Sequence, residues 1–137
     1  MCRLIAGYGW KWDKKAEWNF EIEEIKLKWN SKISNWINSK DSKNEVGCIH
    51  TIQGYDLNYA GVIIGPEVTF DEKKNKIKII KGNYKDRLGH FLTEEQELEE
   101  FIKDIYFVLL TRGIRGTYVY VCDEKLREYF KRYVKFE

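Results

Sequence analysis

Arg112 closes an apolar, helix-like run, Val108-Leu109-Leu110-Thr111-Arg112-Gly113, and is the residue with the clearest chemical potential in this 137-residue chain. A guanidinium stays protonated and offers a planar fork of donors to phosphate oxygens. The same position also suits a plain cation at a helix C-terminus. Arg115 is a second candidate, in what reads as a turn that can simply point it into water. A further group lies in Glu45–Gly65, EVGCIHTIQGYDLNYAGVIIG. There Gly54 lets the backbone approach a ligand closely, and Gln53 can bond a phosphate or a residue across a cleft. Asp56 is either part of that site or an exposed acid at the start of the next element. His50 and Thr51 are suitable neutral contacts to a phosphate backbone, or a strand end satisfied by a nearby carbonyl. Finally, Trp10-Lys11-Trp12-Asp13-Lys14-Lys15 interleaves rings and cations, as single-stranded nucleic acid requires. Large aromatics equally serve to bury area, with Trp12 and Lys11 as the exceptions left to bind.

Other chemistry is excluded by the inventory. Cys48-x-His50 with Cys122 lacks a C-x-x-C pair and a fourth ligand, so no metal site is expected. Only His50 and His90 could act as a base, and the Cys/His and Ser/His inventory offers no credible nucleophile–base pair. Val119-Tyr120-Val121-Cys122-Asp123-Glu124 has the outline of a magnesium-binding Walker B strand. No G-x-x-x-x-G-K-(S/T) accompanies it, and Asp123 as a helix N-cap explains the same residues. The chain alone is therefore not expected to hydrolyse ATP.

These residues need elements to hold them. Val46–His50 and Ala60–Gly65 are short apolar runs bounded by polar or glycine residues, which suit strands covered on both faces of a parallel sheet. The segment between them then lies at a sheet edge, where open α/β sheets hold ligands. Arg3–Gly7 reads as a strand beginning almost at the first residue, which suggests material upstream. Phe20–Trp29 partly alternates and reads as one strand with a wet face; Asn30–Asn44 reads as a loop. Val68–Phe70 and Ile77–Ile80 flank a charged turn, as in a small, solvent-exposed polar hairpin insertion running to about His90. Thr93 and Gln96 form a capping-box pattern, and Leu98, Phe101, Ile102, Ile105, Val108 and Leu109 repeat at helical spacing. Gly113 and Gly116 are expected to bracket a turn before a strand over Thr117–Cys122. Asp123 caps a last helix to about Val134. Strands alternating with helices predict a three-layer α/β fold with a mainly parallel central sheet.

The chain fits one domain, residues 1–137. Its 43% hydrophobic and 34% charged residues belong to a globular chain, and a net charge of +2 points to no partner by itself. No apolar run approaches the roughly 20 residues needed to span a bilayer, and MCRLIAGYGW has no signal-peptide core. Of the three cysteines, Cys48 and Cys122 sit in apolar strand-like runs and are expected to be reduced core residues. The cytoplasm is the expected compartment.

Two motifs carry a family resemblance. Thr51-Ile52-Gln53-Gly54-Tyr55-Asp56, set between His50 and GVIIG, resembles motif V of superfamily 1 helicases, where glutamate is commoner than the aspartate found here. Val108–Gly113, with its Thr-Arg pair, is similar to motif VI. RLIAGYGWKW, GCIHTIQG and LLTRGIRGTYVY resemble one branch more closely, the bacterial Schlafen-group helicase-like DNA/RNA proteins. The resemblance implies the second RecA-like lobe of a two-lobe, P-loop NTPase motor that binds ATP with Mg²⁺ between its lobes. It implies Arg112 as an arginine finger, Gln53, Gly54, Asp56 and Arg115 near the nucleotide, and His50 and Thr51 on single-stranded DNA or RNA. The P-loop lobe would lie upstream or in a partner chain. A non-catalytic nucleic-acid- or protein-binding module, and a small enzyme for another nucleotide, are the alternatives.

Overall fold

The computed structural model describes residues 1–87, 91 and 94–135. Six strands form one sheet in the order β2-β3-β4-β1-β5-β8, and β6 and β7 form a separate hairpin. The strands are β1 (Cys2–Ala6), β2 (Phe20–Ile22), β3 (Ile25–Trp29), β4 (Glu45–Cys48), β5 (Leu57–Ile64), β6 (Val68–Asp71), β7 (Lys76–Ile79) and β8 (Gly113–Val121). The helices are α1 (Ile49–Ile52), α2 (Glu95–Leu110) and α3 (Glu124–Phe130). Every pairing in the large sheet is parallel except β2 with β3. The α/β class and the mainly parallel sheet therefore stand.

Register shows how the faces are used. Gly47, Ile5, Val62 and Val119 lie side by side, so alternation puts them on one face. Trp36, fully buried, fills the space left by Gly47, and a Cβ there would meet its ring at 2.5 Å. Glu45 fixes that indole by accepting from Nε1 at 2.6 Å. Gly47→Ala is expected to destabilise the fold by about 1–3 kcal/mol, because the packed ring has nowhere to go; urea unfolding would show it as a lower midpoint at unchanged slope. α2 covers the same face further along, where Ile64 shares an apolar groove with Ile102 and Tyr106. The sheet curls so strongly that Tyr120 on β8 donates to Glu23 in the β2–β3 turn at 3.0 Å, although these strands stand at opposite ends of the order. A helical layer on one face and the curled hairpin toward the other are compatible with three layers.

Several expectations change in detail. Phe20–Trp29 is a hairpin rather than one strand, because Glu23 takes a left-handed φ of 55° and reverses the chain. Strand β4 stops at Cys48, and His50 belongs to the following helical turn. The hairpin β6–β7 forms as expected, yet Val68, Phe70 and Ile79 are buried, and Phe70 stacks on Tyr129 at 4.1 Å. Its charged turn is only the exposed rim. Gly113 and Gly116 lie within β8, not at a turn: three steps along β8 match two along β5 between the Leu57–Gly113 and Tyr59–Gly116 pairs, a β-bulge. The expected cap Thr93 lies outside the described residues; α2 begins at Glu95 and buries Leu98, Ile102, Ile105 and Leu109 as its spacing predicts. Asp123 does cap α3, accepting from Leu126 N, but that helix ends at Phe130.

Candidate functional site

The strands β3, β4, β1, β5 and β8 run in one direction, so the sheet has an amino edge and a carboxyl edge. Residues 49–56 leave β4 at the carboxyl edge and enter β5 at the amino edge. The motif residues therefore divide between two places. The eight residues of β5 separate those edges by about 25 Å.

Arg112 and Asp56 meet at the amino edge. Each immediately precedes a strand, and Leu57 N donates to Arg112 O at 2.9 Å, tying the two strand entries together. Arg112 Nε donates to Val108 O at 3.1 Å, closing the C-terminus of α2, while Nη1 stands 3.6 Å from Asp56 Oδ1. The cap and the outward-facing cation thus use different nitrogens of one guanidinium. Gln53 N donates to Ile49 O, and Tyr55 N to Ile52 O, which makes a tight exit from α1. Gly54 sits at φ 80° with open space where a Cβ would be, so conformation rather than crowding requires glycine there. Gln53, Gly54, Asp56 and Arg115 are exposed. Arg115 rides on the β8 bulge, three residues beyond Arg112; bulges commonly re-aim side chains beside sites.

His50 and Thr51 lie at the carboxyl edge with Trp12 and Trp29. Thr51 is buried, and its hydroxyl is taken by Asn30 Nδ2 at 2.8 Å and lies 3.3 Å from Cys48 Sγ. His50 is exposed, packs against the Tyr8 ring, and places Nε2 3.6 Å from Asp86. Trp12 is half-buried and stacks on Trp29 with ring centroids 5.2 Å apart and planes 4° apart. Lys11 is exposed. Of the five tryptophans, Trp29 and Trp36 are buried and Trp18 is exposed.

One strongly perturbed group had no motif to announce it. Glu67 is fully buried just beyond β5, and Tyr106 Oη donates to its Oε1 while also accepting from Gly65 N. The glycines at 7, 9 and 65 make room: a Cβ at Gly9 or Gly65 would strike Glu67 Oε2, and one at Gly7 would lie 2.5 Å from Tyr106 Oη. Burial pushes the Glu67 carboxyl up to about 7, against the lowering effect of the Tyr106 hydrogen bond. Burial likewise raises Cys122 to about 11, and the nearby Glu67 adds to it. Cys2, Cys48 and Cys122 are all free. Among the described residues no group of three or more His, Cys, Asp or Glu side chains is placed to hold a metal ion, and His90 lies outside those residues. Among them, too, no helix is long and apolar enough to cross a membrane.

Comparison with known proteins agrees with the motif reading at the level of the family. The family model described as Schlafen group 3, DNA/RNA helicase domain, matches residues 1–123. An uncharacterized protein of Saccharomyces cerevisiae, YPL245W, is 35% identical over 139 residues, covering 93% of this chain. The chain spans only 31% of that relative's length. No solved structure matches the chain. With nine-tenths of its length inside the family model, the chain belongs to the Schlafen group 3 DNA/RNA helicase domain family.

Proposed function

We propose that this chain is the second, RecA-like lobe of a nucleic-acid-dependent ATPase. The observation that carries the reading is the convergence of Arg112 and Asp56, from two separate motifs, on the amino edge of the sheet. Facing a P-loop lobe that holds ATP and Mg²⁺, Arg112 extends its fork to the γ-phosphate. The exposed carboxylate of Asp56 holds that fork outward until phosphate replaces it. The Gln53–Gly54 turn offers a carboxamide and open backbone beside it, and Arg115 adds a cation at the rim.

The single strand of DNA or RNA lies at the other edge, over His50, Trp12 and Lys11. Thr51 serves there as a buried tie rather than a direct contact. The connection from His50 to Asp56 starts with the buried Thr51 and Ile52 and ends in the exposed Gln53–Gly54 turn. A displacement at either edge reaches the other through this one short segment, residues 49–56, which is how nucleotide closure is coupled to strand movement.

Hydrolysis needs a P-loop, which this sequence lacks, so the lobe works only as part of a larger assembly. An antibody to this domain should detect a native protein well above 16.5 kDa, or co-purify a P-loop chain. A species of 16.5 kDa with no such partner would remove the motor and leave a nucleic-acid-binding module.

A further inference from the structure

The carboxyl-edge cleft has a property that sets how it recognises its ligand. It is about 680 Å³ in volume and lies between Tyr8, Trp12, Trp29, Asn30, Lys14 and Lys28. Trp29 is buried and lies flat beneath Trp12. Tyr8 contacts both rings, at 6.2 Å and 5.4 Å. Trp12 is therefore held in one orientation before any ligand arrives, with one face occupied by Trp29.

The polar groups deep in the cleft are already spent on one another. Asn30 Oδ1 accepts from Cys48 N, and its Nδ2 donates to Thr51 Oγ1 and Lys32 O. Glu45 Oε2 accepts from Trp36 Nε1 and Ser31 N. Asn19 Oδ1 accepts from Trp29 N. The Trp29 indole N–H has no partner, but it also has no exposed surface. His50, also on the lining, faces Asp86 at 3.6 Å, and Ser31 is exposed there. Beside them the cleft offers a ligand a fixed aromatic plane flanked by Lys14 and by Lys28, whose ammonium lies 5.5 Å from the centre of the Trp18 ring. Every nucleobase has a π-face, whereas discrimination needs free donors and acceptors at the base edges.

We infer that the Trp29–Trp12 pair is a stacking platform that binds one base of a single-stranded nucleic acid without regard to its identity, Lys14 and Lys28 taking the flanking phosphates. This deepens the nucleic-acid half of the motor reading and rests on it only for which edge the strand occupies. Selection by sequence must then come from elsewhere in the complete protein.

The test is fluorescence anisotropy of labelled oligo(dT), oligo(dA) and oligo(U), with the complete protein free of nucleotide. Similar affinities for all three are expected. Trp12→Ala should weaken each by roughly tenfold to a hundredfold, the range for one stacked base, while Trp12→Phe keeps most of the affinity. Lys14→Ala should reduce the slope of log affinity against log salt by about 0.7. Trp12→Ala binding at parental strength, or one homopolymer preferred a hundredfold, would overturn the platform. If strands stimulate hydrolysis but Trp12→Ala is silent, the platform fails and the motor stands. Trp12-dependent binding without hydrolysis supports the platform and removes the motor.

Discussion

Arg112→Ala is expected to lower ATP turnover by the complete protein about a thousandfold or more, with little effect on folding. An arginine finger stabilises charge that develops only in the transition state, and supplies roughly 10³–10⁵ in related nucleotide hydrolases. The effect should fall on kcat, with nucleotide affinity changing far less. Structurally the residue contributes little. Its bond from Nε to Val108 O contributes about 1 kcal/mol, and the pair with the exposed Asp56 adds less than that. Melting should fall by only a few degrees. Arg112→Lys keeps the charge but loses the fork, so it should recover stability near the helix end without recovering turnover. A residue that merely capped α2 would give the same small change in melting with no change in kcat. Steady-state kinetics beside a thermal melt separate the two roles.

The second large effect concerns pH. Glu67 is held near 7 in the folded protein, against 4.5 for the free side chain. The folded state therefore keeps its proton over a range in which the unfolded chain has lost it. Below about 4.5 both states are protonated and the group costs nothing. Stability then falls as pH rises from 4.5 towards 7, and above 7 the full cost of a buried, uncompensated carboxylate is present, about 3 kcal/mol. The groups around it offset only a small part of that cost. Tyr106 donates one bond but brings no charge, and Tyr84 and Cys122, both pushed upward, stay neutral. Glu67→Gln keeps the acceptor for Tyr106 and removes the ionisation. Chemical denaturation at about pH 5 and about pH 8 should show the parent losing stability across that interval and the variant losing much less. A parent with equal stability at both values would mean that the carboxyl is solvated or compensated.

Much of the scaffold could be read from pattern because its segments repeat cleanly. Ala60–Gly65 is an uninterrupted apolar run, and the 98-102-105-109 spacing of α2 fits only a helix. The errors share a cause, which is that short-range backbone choices override residue preference. Nothing in Glu23 announces a left-handed turn, so one alternating stretch looked like a single strand. A one-turn helix such as Ile49–Ile52 is too short to show a period, so His50 looked like part of a strand. The bulge in β8 depends on its pairing with β5, which no local window contains.

The candidate site was legible as residues but not as places. His50 and Asp56 are six residues apart and look like neighbours, yet a helical turn and the tight turn after it carry them to opposite edges of the sheet. Arg112 and Asp56 are 56 positions apart and meet. Thr51, with a hydroxyl suited to phosphate, is instead spent internally on Asn30. Glu67 had no signal beyond three glycines scattered over two segments, whose common purpose appears only when β1 and β5 lie side by side.

Hydrolysis of ATP by the complete protein, with and without an added single strand, tests the motor reading most directly. Hydrolysis that rises on adding the strand and collapses in Arg112→Ala is the predicted result. A complete protein whose hydrolysis is absent, or is indifferent both to the strand and to Arg112, would contradict it.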